Sequence, residues 1–334
     1  MIPPRWIRRV LLAPAAVVLA VVVVGSLPVW LLAAAAISPL VPGRLRPLRV
    51  LWLAVVYLTL EAAALIVLFG LWVGSGFGWK VRSPPFRRAH YVVTAWYLRV
   101  LFWQGQWVLR LRIVVSGTDP AALTAGRPLV VCCRHAGPGD SFILANALVN
   151  TYRREPRIVL KDTLQWSPAI DVMLNRLPST FIAPGSGADV AAEVGALAEG
   201  LDGNDALVIF PEGGNFTPRR RTRAIARLRS LGLHRLARRA EQWHHVLAPR
   251  PGGLLAALDS APDADVVWVA HTGLDRLLTI ADVWRELPMD KTITMRWWPV
   301  TAADIPPGRE ERIEWLYDWW QRIDAWIGAN QPGT

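Results

Sequence analysis

The apolar and polar positions divide this chain near residue 84. Before it, two stretches dominate: Val10 to Pro42, without any charge, and Val50 to Phe77, with a single acid at Glu61. Each is longer than the roughly 20 apolar residues a helix needs to cross the hydrocarbon of a bilayer. Pro28 is expected to kink the first. After Pro84 and Pro85 the pattern becomes that of a globular domain. Phe86 to Gln104 predicts an amphipathic helix. Val108 to Val115 alternates, Leu109, Leu111 and Ile113 against Arg110 and Arg112, which predicts a strand. The short apolar runs Pro128 to Cys133, Arg157 to Leu160, Ser179 to Ala183, Ala206 to Phe210, Val266 to His271 and Thr292 to Val300 predict further strands. Ser141 to Tyr152, Ala188 to Leu201, Arg219 to His244 and Arg309 to Ile327 predict helices. Strands alternating with helices imply an α/β sheet flanked by helices on both faces. The expected organisation is therefore membrane-anchoring hydrophobic helices over 1–84 and an α/β domain over 85–334, with no internal repeat.

Charge and composition sharpen the membrane half of this picture. The net charge is +11, nearly all of its basic residues arginine. Such a surface suits a polyanion, either nucleic acid or an anionic bilayer. The apolar segments favour the bilayer, and no nucleic-acid partner is expected. The 18 tryptophans fit the headgroup layer, although some must be core. Cys132 and Cys133 are adjacent, too close for a disulfide staple and without zinc-site spacing, which points to a reduced, cytosol-facing chain. A cleaved signal peptide is the competing reading of the first stretch. Its apolar core is too long for that, and a second apolar segment follows at once. Two full spans would put Arg5, Arg8, Arg9, Lys80, Arg82, Arg87 and Arg88 in the cytoplasm and Arg44, Arg46 and Arg49 outside. A hairpin that enters the bilayer and returns would keep every arginine inside. Both topologies are open at this level. Glu61, at membrane depth, is a functional candidate; the plainer role is a partner for a neighbouring helix or for interfacial water.

Two short motifs carry candidate chemistry. His135-Ala136-Gly137-Pro138-Gly139-Asp140 follows a buried strand and precedes a helix, at the carboxyl end of a strand, where α/β proteins hold ligands. The Gly-Pro-Gly turn can return Asp140 to the imidazole. A carboxylate on one ring nitrogen fixes the tautomer and frees the other as a base. In isolation this spacing is more often a loop histidine beside a helix-capping aspartate. Phe210-Pro211-Glu212-Gly213 closes another apolar strand and would hold Glu212 at the same sheet edge; alone it is an ordinary strand exit. Cys133 is a rival nucleophile, but an apolar strand usually keeps a thiol inert. His244-His245 is a metal pair only superficially, and no metal or cofactor is expected.

Together, in this order and spacing, the two motifs resemble the 1-acylglycerol-3-phosphate (lysophosphatidic acid) and lysophospholipid acyltransferases, and within them the eukaryotic-type branch. The resemblance runs from about residue 125 to the C-terminus. Lys161, Leu164 and Pro168 match the family's second block, and Phe210 to Gly213 the third. Phe216, Thr217, the stretches 232–236 and 247–250, Asp304-Ile305-Pro306 and the helix from Trp315 match the branch. Four positions depart from the pattern. Gly214-Asn215 replaces the usual Thr-Arg, Asp171 stands where a glycine is usual, and Pro184 where an arginine is usual. In the family those two arginines are thought to grip the acceptor's phosphate.

The resemblance implies an O-acyltransferase of phospholipid metabolism. Acyl-CoA or acyl carrier protein would be the donor, and lysophosphatidic acid or a related lysophospholipid the acceptor. His135 would act as general base and Asp140 would orient it. Glu212, Gly213 and Lys161 would bind substrate, Glu212 by hydrogen bonds to the acceptor's hydroxyls. Arg219, Arg220, Arg221 and Arg223, just past Glu212, are candidates to hold the headgroup in place of the missing arginines. The catalytic domain is expected on the cytoplasmic face of the cell membrane, with membrane lipids as partners. The alternatives are an acyltransferase for another acceptor, such as a glycolipid, and a non-catalytic membrane lipid-binding protein. The joint presence of His135, Asp140 and Glu212 speaks against the latter.

Overall fold

The structure, a computed structural model, describes residues 2–43, 45–117, 126–137, 139–183, 189–273 and 284–331. Arg44, Pro138, Pro184 and Ala188 lie outside these residues. The apolar half is helical. Helix α1 (Arg5–Gly25) ends at Ser26, whose hydroxyl donates to the Val22 carbonyl at 2.6 Å. Helix α2 (Leu27–Ile37) restarts at once, with Pro28 in its first turn. Pro28 therefore opens a new helix, where its missing N–H costs nothing, instead of kinking a continuous one. Helix α3 (Arg46–Gly74) follows, and α1 and α3 are both long and apolar enough to cross a membrane.

Helix α4 (Pro84–Leu109) stops where Arg110 enters the left-handed region at φ 55°. The strand expected from Val108 accordingly begins only at Arg112, although Leu109 and Leu111 already pack on the sheet. The remaining strands are β1 (Arg112–Gly117), β2 (Leu129–Cys133), β3 (Glu155–Lys161), β4 (Ser179–Ile182), β5 (Asp205–Ile209), β6 (Asp265–Thr272) and β7 (Thr292–Val300). They form one seven-stranded sheet in the order β1-β7-β6-β2-β5-β3-β4, parallel at every pairing except β6 with β7. The helices of the domain are α5 (Asp140–Asn146), α6 (Pro168–Leu174), α7 (Val190–Ala198), α8 (Pro218–Ser230), α9 (His234–Glu241), α10 (Pro251–Ser260) and α11 (Arg309–Asn330). The single basic helix expected over Arg219 to His244 is thus two, broken where Gly232 takes φ 75°.

The period of two in β2 sorts its side chains between two cores. Val130 and Cys132 face the cluster covered by α7 to α11, with Trp243, Trp268 and Trp320. Leu129, Val131 and Cys133 face the cluster covered by α5, with Met295 and Trp297. A third cluster joins α1 and α3 to α4 and α6 through Leu65, Leu68, Tyr97 and Met173. Polar contacts lock this joint. Glu61 is buried in α3, accepts from the Ser167 hydroxyl and the Ala169 N–H, each at 2.8 Å, and so holds the start of α6. Asp171, fully buried in α6, receives Arg8 at 2.7 Å and Arg9 at 3.3 Å, and Gln165 also accepts from Arg8 at 2.8 Å. The aspartate that departs from the family pattern is therefore the anchor of the N-terminal helix.

Both ends of α3 are bonded to the α/β domain. At one end Arg46 donates to the Leu287 and Arg285 carbonyls, each at 2.6 Å, and Arg49 donates to the Val108 carbonyl. At the other, Arg176 donates to the Leu68 carbonyl at 2.8 Å. Arg49 and Leu68 are about 28 Å apart along a helix axis at 1.5 Å per residue. Val21, Leu32 and Phe69 on the apolar helices, and Trp79, Trp103 and Trp107 beside and on α4, all face outward.

Candidate active site

β2 ends at Cys133, and the chain turns over the carboxyl edge of the parallel strands before α5 begins at Asp140. The Asp140 Oδ2 accepts the N–H groups of Ala136 (2.5 Å) and Gly137 (2.7 Å) and lies 3.3 Å from His135 Nδ1. Burial alone would raise this carboxyl's pKa. The electrostatic pull of His271, the contacts with both imidazoles and the Gly137 amide outweigh it and hold the group well below the usual carboxylate range. With Nδ1 turned to the carboxylate, Nε2 of His135 meets no protein partner among the described residues. The ring lies on Phe210, centroids 4.7 Å apart, and its side chain keeps 12% exposure. Phe216 N–H donates to the His135 carbonyl at 2.8 Å, wrapping the loop after β5 around the histidine.

Glu212 is turned inward. Its Oε1 accepts from His135 N–H at 3.4 Å and its Oε2 from Leu247 N–H at 3.3 Å, and the residue is 3% exposed. Burial pushes its pKa up to about 8, against the pull of Arg134 and the two amides. The carboxyl ties the His135 loop to the segment before α10. Pro211 follows the strand, and Gly213, at φ 66°, closes the turn with its N–H donating to the Phe210 carbonyl at 2.9 Å. Cys133 is buried with its thiol pKa raised by that burial, as an inert core residue would be.

The other candidates separate. Lys161 is exposed at the carboxyl end of β3, with β5 between it and β2. Arg219 and Arg223 are exposed on α8. Arg221 donates to the Trp243 (2.5 Å) and Glu241 (2.6 Å) carbonyls and so pins α8 to the end of α9. Arg220 folds back toward the site, donating to the Asn215 carbonyl at 3.1 Å beside Gly214. Residue types alone did not single out Arg250. Its guanidinium covers Gly213, where a Cβ would meet Nη1 at 3.3 Å. Partial burial and the nearby charge of Arg227 lower its pKa. The one sequence signal for it was its place in the 247–250 stretch. His271, at the end of an apolar strand, gave none.

Residues 112–250 match the family model described as Acyltransferase. No curated protein matches the chain in sequence. Among solved structures the chain is similar to the 1-acyl-sn-glycerophosphate (LPA) acyltransferase PlsC from Thermotoga maritima. That likeness has 12% identity and a TM-score of 0.46, and it covers 80% of this chain and 98% of that one. His135, Asp140 and Glu212 all lie within the residues that match this Acyltransferase model.

Proposed function

We propose that the protein transfers a fatty acyl chain from acyl-CoA or acyl carrier protein to the free hydroxyl of lysophosphatidic acid or a related lysophospholipid. The observation that carries this reading is the His135–Asp140 pair, with an ionised carboxylate on Nδ1 and Nε2 left open at the edge of the sheet. A thioester is already activated, so the enzyme needs chiefly a base and orientation. The acceptor's O–H gives its proton to Nε2 as the oxygen attacks the thioester carbon. The C–S bond then breaks, and the thiolate leaves with the proton from the imidazolium. Asp140 stabilises that cation while it exists. The test is a panel of lysolipids incubated with labelled acyl-CoA. Labelled diacyl product from at least one is expected, and product from none would remove this reading.

Arg220 and Arg250 flank the glycine pair beside Glu212, which makes them the residues best placed to take over the phosphate. A hydrogen bond to a charged group contributes about 1.5–3 kcal/mol. Arg220→Gln or Arg250→Gln should therefore raise the acceptor's KM by roughly 10–100-fold in neutral detergent micelles. The donor's KM should change far less. Arg219→Gln and Arg223→Gln are the controls. If both site variants keep the wild-type acceptor KM, an acceptor without a phosphate monoester becomes the better substrate class.

The exposed apolar faces of α1, α2 and α3, continued by Trp103 and Trp107, fit a bilayer. A full crossing by α3 would require the domain that bonds both of its ends to reach through the hydrocarbon. A hairpin seated from the cytoplasmic face does not. The protein should stay in the membrane pellet through high-salt and alkaline washes, because apolar attachment is not screened by salt. Quantitative release would show peripheral attachment.

A further inference from the structure

We propose that His271 is a positioning residue of this site, a second imidazole on the Asp140 carboxylate that aims it at His135. The proposal rests on the base pair argued above and adds a third member to it. β2 and β6 are adjacent and parallel, with Cys133 opposite Val269. His135 and His271 each lie two residues beyond that pair and so arrive at the same height on the sheet edge. The His271 Nε2 is 3.5 Å from Asp140 Oδ2. His271 is 3% exposed, and neither of its ring nitrogens has a hydrogen-bond partner; Asp140 Oδ1 has none either. A buried donor without an acceptor beside a buried acceptor without a donor is costly unless each serves the other.

Five residues of β6 before His271 form an unbroken apolar run, and the buried Thr272 follows it. Val266, Val267, Trp268, Val269 and Ala270 are apolar and buried, so a histidine after them breaks the pattern of a core strand. Its position is fixed from behind, because Arg134 donates to its carbonyl at 2.8 Å. The other donors to Asp140 are Ala136, Gly137 and His135, all on the loop that carries the catalytic histidine. They fix the carboxylate relative to that loop. Among the described partners, His271 is the one that comes from the sheet, and it fixes loop and carboxylate together against the scaffold. A misplacement of about 1 Å at such a pair can cost on the order of 10²-fold in rate.

The test is a double-mutant cycle on the full-length protein, with kcat, acceptor KM and thermal midpoint measured for each variant. His271→Leu should lower kcat roughly 10–100-fold with acceptor KM little changed. His271→Gln, which keeps an N–H donor, should recover most of that loss. In the Asp140→Asn background, His271→Leu should cost little more. Should His271→Leu fail to fold, His271→Ala supplies the same comparison. The proposal is overturned if kcat is unaffected, if Gln falls as far as Leu, or if the loss is the same in both backgrounds. An inactive His135→Ala beside an unaffected His271→Leu rejects this role alone, whereas an active His135→Ala rejects the base itself.

Discussion

Replacing His135 with alanine should cut acyl-transfer turnover by roughly 10²–10⁴-fold, the usual scale of a general-base contribution. The measurement is the initial rate of thioester cleavage with acceptor present. Asp140→Asn should fall within the same range, because an amide cannot stabilise the imidazolium as a carboxylate does. The fold should survive both changes. His135 sits on a turn at the sheet edge with part of its ring exposed, and asparagine can still accept from Ala136 and Gly137. A His135→Ala enzyme with wild-type turnover would end the proposed mechanism.

The largest structural effect is expected at the joint between α1 and α6. Arg8 and Asp171 are both almost fully buried, so removing Asp171 leaves the Arg8 cation in the interior without a counter-ion, and removing Arg8 leaves Asp171 with only the more exposed Arg9. Breaking such a pair costs about 3–5 kcal/mol, whereas replacing both partners by apolar residues of similar size is often neutral. Arg8→Ala or Asp171→Ala should therefore lower the thermal midpoint markedly in detergent. The pair of changes Arg8→Met with Asp171→Leu should return most of the loss. Single variants that melt with the wild type would show that the contact carries no stability.

Much of this architecture was legible before the fold. Strands such as those ending at Cys133 and Ile209 are short apolar runs closed by turn residues, and local pattern is enough to place them. Boundaries failed where the backbone decided them: Arg110 and Gly232 both end helices through a left-handed φ that side-chain periodicity does not reveal. The His135–Asp140 pairing was legible because a tight turn closes it within a few residues. Asp171 was visible only as a departure, since its partner Arg8 lies 163 positions away. Arg250 and His271 needed the loop path and the strand order, respectively, to bring them to the site. Glu212 was placed at the correct edge, but the direction of its carboxyl depends on the turn at Gly213.

That separation also sets an order of events during synthesis. Arg8 is made early, and the carboxylate that will hold it is made 163 residues later. At roughly 5–20 residues per second this is an interval of about 8–30 s. Throughout it the first helix is complete while its cation has no counter-ion and α6 does not exist. The nascent helix must wait where an apolar stretch and a basic end are both tolerated, and the headgroup layer of the membrane is such a place. On the proposed membrane reading, insertion would precede docking, and the arrival of α6 would join the first helix to the folded domain.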